Sequence, residues 1–243
     1  MLVEGDLSVA LSLNFQLTTI DKIWKMWYIN STFRLAKMTS LKELVLSGAR
    51  RRATWWKHQE IRLFWEPDIH RSTVEVVMDE IELLCREIGI WFNLIPLGSH
   101  QSAMKQLRTV THGNQIDYNR LFDIVDAEDW RNENIGGREH GDIFITTRHL
   151  LDDAVALGCA SYKEGCIIFA LHEQSQYNQN LLRRVVRHEA THLLGLGYHC
   201  NEFSINGYHY NDRCNMHYNL PSGKTCPKCL GYLRAFWTHL GRL

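Results

Sequence analysis

The 243-residue chain is long enough to bury a sizeable core, either as one large domain or as two subdomains flanking a cleft. Its 27 basic and 27 acidic residues cancel to a formal net charge of zero, which removes the electrostatic case for nucleic-acid or membrane-surface partners. No run of eighteen apolar residues occurs, so no membrane span is expected.

The first residues carry Glu4 and Asp6 where a secretory leader would be basic, so the expected location is cytoplasmic. Residues 1–58 read as an N-terminal extension. Ile20 to Val45 has helical apolar spacing, compatible with a helical extension, a propeptide or a stretch upstream of the true start. Arg50-Arg51-Arg52 followed by Trp55-Trp56-Lys57-His58 is the one basic–aromatic patch, and it reads as a solvated linker with a packing segment.

From residue 59 the pattern becomes α/β. Glu60–Trp65 alternates like a strand. Ser72 can cap a helix running to about Glu87, with Val74, Val77, Ile81, Leu84 and Cys85 on one face. Ile90–Ile95 predicts the next strand, and Ala103–Val110 a helix. A polar stretch spans Asp126 to His140. Strands follow over Asp142–Thr147 and Cys166–Leu171, then a helix over Tyr177–Leu194 and a last helix over Cys226–Leu240. Cys85, Cys159 and Cys166 stand in apolar contexts and read as buried thiols.

The helix at 177–194 carries the chemistry. His188-Glu189-Ala190-Thr191-His192-Leu193-Leu194-Gly195-Leu196-Gly197-Tyr198-His199 fits H-E-x-x-H-x-x-G-x-x-H at every fixed position. Residues four apart share a helix face, so His188 and His192 can address one ion. A glycine at 195 can take positive φ, end the helix and return His199 as a third imidazole. Three neutral imidazoles can hold a zinc and leave one position open to water, and Glu189 can take a proton from that water.

Cys200, Cys214, Cys226 and Cys229 follow within thirty residues. Cys226-Pro-Lys-Cys229 is a C-x-x-C knuckle that could grip a metal, undergo redox chemistry, close a disulfide or be buried as free thiols. Four cysteines beside a histidine triad favour a second, closed zinc site. His209 and His217 are not assigned as ligands.

The third histidine followed by Cys200, the later Cys214-Asn215-Met216 and the final C-x-x-C resemble the archaemetzincins, a family of the metzincin zinc peptidases. The resemblance implies a catalytic zinc on His188, His192 and His199, with Glu189 as general base. It implies a structural zinc on Cys200, Cys214, Cys226 and Cys229, so two zinc ions per chain, and a Met-turn with Met216 beneath the catalytic metal. It also implies an upper subdomain (59–199) with a twisted mixed sheet backed by helices. A small irregular lower subdomain (200–243) would carry the Met-turn and the C-terminal helix. Residues 166–171 would then be the antiparallel edge strand above the cleft. Two features depart from the family pattern. Thirteen residues separate Cys200 from Cys214 and only nine separate Met216 from Cys226, which makes 201–213 an enlarged loop. Met216-His217-Tyr218 looks like the Met-turn of astacins and serralysins, which makes Tyr218 a candidate fifth ligand or oxyanion donor; the alternative is a tyrosine packed in the lower subdomain.

The expected function is zinc-dependent hydrolysis of peptide bonds by a monomer acting on a peptide or protein substrate. The alternative is a catalytically inactive, zinc-stabilised peptide- or protein-binding module that keeps its metal sites.

Overall fold

A computed structural model describes residues 55–126, 140–172, 178–197, 199–200, 214–217 and 223–242. The chain divides by its internal contacts into Met1–Leu44, which lies outside the described residues, and Val45–Leu243, which contains all of them. The interior of the polar stretch expected over Asp126 to His140 (127–139) and the enlarged loop expected at 201–213 also lie outside.

After a 3-10 turn, Trp55–His58, the described elements are β1 (Glu60–Trp65), α1 (Arg71–Ile88), β2 (Asn93–Gly98), α2 (Gln101–Thr109), β3 (Thr111–His112), β4 (Gln115–Ile116), α3 (Tyr118–Asp126), β5 (Gly141–Thr146), β6 (His149–Leu150), β7 (Gly158–Ser161), β8 (Cys166–Ala170), α4 (Gln179–Leu193) and α5 (Pro227–His239). The main sheet runs β2-β1-β5-β8-β7. Its first four strands are parallel and β7 is antiparallel to β8. This is the mixed sheet backed by helices that the family resemblance implies.

Helices cover both faces of that sheet. On one face Ile61, Leu63, Ile143, Ile167 and Phe169 pack with Val77 and Ile81 of α1 and with Val185 and Val186 of α4. On the other, Phe64, Phe144 and Ile168 pack with Leu107 of α2 and with Leu121 of α3. Strands covered on both sides need apolar residues at every position, which is why β8 reads as an unbroken run.

Three expectations are corrected. Cys166–Ala170 is not the antiparallel edge strand: it pairs in parallel with β5, and the edge is β7. All five β8 residues are buried, whereas the four of β7 are only half-buried, as an edge allows. The second strand begins at Asn93, not Ile90. Gly89 ends α1 in the left-handed region, and both its N–H and that of Ile90 bond the Cys85 carbonyl, so Ile90 still belongs to the helix terminus. Pro96 fits because β2 is the opposite edge. Finally, the cap of α1 is His70, whose Nδ1 accepts from the Ser72 N–H at 3.3 Å; Ser72 sits inside the first turn. The predicted apolar face of α1 is buried throughout. Of the three cysteines outside the clusters, Cys85 and Cys166 are buried and Cys159 is half-buried.

Trp55, inside the stretch read as an extension, is a core residue. It is 1% exposed, stacks on Phe92 at 5.6 Å between ring centroids, and donates Nε1–H to the Tyr162 carbonyl at 2.8 Å.

Three features set α4 in place. Its apolar face, Leu182, Val185, Val186 and Leu193, is buried, and each such side chain contributes about 1.5–3 kcal/mol. Beside it, buried Arg187 reaches Glu80 at 3.3 Å and Glu87 at 2.5 Å, both on α1. Asn178 caps the helix by accepting from the Leu181 N–H at 3.1 Å.

Candidate metal centres

His188 and His192 stand one turn apart on α4, and the chain turns back at Gly195 to bring His199 beside them. Gly195 has φ 108°, and its N–H bonds the His192 carbonyl at 3.0 Å. A side chain there would be strained by the backbone and would overlap Phe236 of α5, 2.6 Å from an added Cβ. The turn also directs the Leu196 carbonyl to His192 Nδ1 at 2.6 Å.

That carbonyl and a second one decide the tautomers. His188 Nδ1 lies 2.9 Å from the Asn215 carbonyl. Carbonyls only accept, so both Nδ1 atoms carry the proton and both Nε2 lone pairs are left for another partner. The Nε2 atoms of His192 and His199 lie 3.1 and 3.2 Å from that of His188. Nitrogens held at 2.0–2.1 Å around a tetrahedral zinc sit about 3.3 Å apart, so the donor set fits such an ion. Burial, then the neighbouring His192 and His199, push the His188 imidazolium well below its usual range, so His188 is neutral as a ligand must be.

Glu189 follows His188 on the helix. Burial pushes its carboxyl up to about 8. A cation in the histidine cluster would pull it back toward the ionised form needed to accept a proton.

The four cysteines form the second cluster. All are buried and none is in a disulfide. The Sγ atoms of Cys200 and Cys226 are 3.9 Å apart, and those of Cys214 and Cys229 are 3.8 Å apart. Thiolates at about 2.3 Å around a tetrahedral zinc would be about 3.8 Å apart. Backbone N–H groups of Met216 and Cys226 point at Cys214 Sγ at 3.4 and 3.3 Å and fix its position. All four ligand atoms of this group lie within 4.8 Å of one another, as do the three of the histidine group.

The segment Cys214–His217 joins the two. Cys214 supplies a sulfur, the Asn215 carbonyl holds His188, and the Met216 carbonyl accepts from the Cys200 N–H at 2.7 Å, beside His199. Met216 is fully buried. His217 is buried and belongs to neither cluster. Tyr218 lies outside the described residues. Sequence reasoning missed the Asn215 and Leu196 carbonyls, because a backbone acceptor has no residue signature. It also missed Gly158 of β7, which packs on Glu189 and stands in no motif.

No helix among the described residues is long and apolar enough to cross a membrane. The chain matches no protein-family model and no curated protein. Among solved structures it is similar to the archaemetzincin of Methanopyrus kandleri, with a TM-score of 0.52 and 15% identity over 75% of this chain and 97% of that one. At that identity the likeness is one of fold: the chain has an archaemetzincin-like architecture, with a histidine and a cysteine cluster each suited to zinc.

Proposed function

We propose that the protein is a zinc-dependent peptidase with His188, His192 and His199 as ligands of a catalytic zinc and Glu189 as general base. Cys200, Cys214, Cys226 and Cys229 would hold a structural zinc. The observation that carries the reading is the convergence of the Nε2 atoms of His188, His192 and His199, with the first two rings fixed by carbonyls that leave their Nε2 unprotonated.

A zinc ion held there supplies a Lewis acid for the scissile carbonyl and makes a water acidic near neutral pH. Glu189 takes the proton from that water and hands it to the leaving amine nitrogen. Met216 packs as an apolar floor, and the two carbonyls keep the rings from rotating as charge develops. Tyr218 is a candidate oxyanion donor on sequence grounds alone.

The edge of β7 suits an extended substrate. Leu157 O accepts from the Ala170 N–H, so by strand alternation the backbone groups of Gly158 and Ala160 face outward. No strand among the described residues pairs with that side. A peptide could add there by main-chain hydrogen bonds, next to Glu189. The substrate class is therefore a peptide in extended conformation.

The test is a chelator-sensitive peptidase assay with a broad peptide library, run on the parent and on Glu189→Ala. The expected result is hydrolysis by the parent and none by the variant at equal metal content. Retained turnover in Glu189→Ala would remove the base assignment, and a metal-loaded parent that cleaves nothing would leave the binding-module reading.

A further inference from the structure

One glycine of β7 is not required by its own backbone. Gly158 is absent from the glycines with positive φ, so its conformation suits an alanine. Its burial is only partial and its strand lies at the sheet edge. The space above its Cα is nevertheless filled. An added Cβ would stand 2.7 Å from Glu189 Cγ, 3.3 Å from Cδ and 3.4 Å from Oε1. Carbons in contact normally keep about 3.5–4.0 Å. The clash falls on the stem of the glutamate, not on its mobile tip. Relief therefore requires a new rotamer, which swings the carboxylate away from its present direction.

We propose that Gly158 is a positioning residue for Glu189: the bare backbone of β7 is the wall on which the glutamate stem rests, and it fixes the direction in which the carboxylate leaves α4. The reading rests on the peptidase assignment above. α4 packs directly against β7, so strand and helix form a fixed pair. Side chains stand perpendicular to a sheet, whereas its hydrogen-bonding groups lie in the plane. A methyl at 158 thus strikes the base and leaves the outward N–H and C=O of the edge unchanged. Proton transfer should suffer and peptide binding should not.

The experiment is a pair of mutant cycles on the zinc-loaded protein. Gly158→Ala should lower kcat at least tenfold, change KM less than threefold and keep the metal stoichiometry. In the Glu189→Asp background, where the side chain is one methylene shorter, the same substitution should change kcat less than threefold. An unchanged kcat in Gly158→Ala, or an equal loss in both backgrounds, overturns the proposal. Melting temperature reads the contact without activity. Gly158→Ala should lower Tm by about 2–4 °C in the parent. In the Glu189→Ala background it should raise Tm, because the overlap is gone and a strand glycine is removed. Shifts of the same sign and size in both backgrounds overturn the contact. If the parent proves inactive on every peptide, the peptidase reading fails, and the melting cycle alone decides whether Gly158 sets Glu189.

Discussion

The carbonyl of Asn215 accepts a hydrogen bond from His188 Nδ1 at 2.9 Å, across twenty-seven residues of sequence. Asn215 is flanked by Cys214, whose sulfur is in the cysteine cluster, and by Met216, whose carbonyl holds Cys200. A disturbance of the cysteine cluster therefore reaches the histidines through the backbone. Cys226→Ser is expected to weaken metal binding at the histidine site as well as its own, by about 10–100-fold. Chelator competition with metal analysis measures both sites, and an unaltered histidine affinity would show the two to be independent.

Glu189 gives a pH prediction for chelator-treated protein. Its carboxyl is raised by burial from 4.5 to about 8, so the folded state binds the proton more tightly than the unfolded state. The sign is opposite to that of an ion-paired carboxylate. Its contribution is fully present below about 4.5 and is lost as pH rises through about 8. Glu189→Gln removes the titration. Denaturant unfolding is expected to show the variant gaining on the parent across that window, and parallel curves would contradict the burial account.

Arg187 is 2% exposed and pairs with buried Glu80 and with Glu87. Removing one partner of a buried pair leaves a desolvated charge, so Arg187→Met is expected to destabilise by roughly 3–5 kcal/mol. Arg183 also reaches Glu80 at 3.3 Å but is 40% exposed, and Arg183→Met is expected to cost less than about 1 kcal/mol. Urea unfolding of the two variants tests the contrast, and equal losses would reject it.

Gly195→Ala combines an unfavourable φ with overlap on Phe236. The expected loss is about 2–4 kcal/mol. Metal affinity should fall too, because Leu196 O and His199 both depend on that turn. Thermal melting and metal content measure the two effects. A destabilised variant with full metal affinity would mean that the turn can deform without moving the ligands.

Local chemistry explains what was readable beforehand. The apolar face of α1, the continuous apolar run of β8 and the i, i+4 histidines of α4 are patterns written within one element. The β7 strand, Gly-Cys-Ala-Ser, has neither alternation nor large apolar residues, so nothing marks it as a strand before β8 is there to pair with it. The start of β2 was misread for a related reason: Ile90 and Phe92 are as apolar as a strand, but they plug the core beyond the end of α1.

The amino-acid sequence by itself determined which side chains make up the two candidate metal clusters, because ligand type and spacing along one helix and one knuckle are local properties. Only the tertiary structure decided that β7 is the free edge, that Asn215 and Leu196 orient the imidazoles, and that Gly158 faces Glu189. Those relations are made by backbone groups and by the absence of a side chain. They exist only once distant segments are packed together, and no residue type announces them in advance.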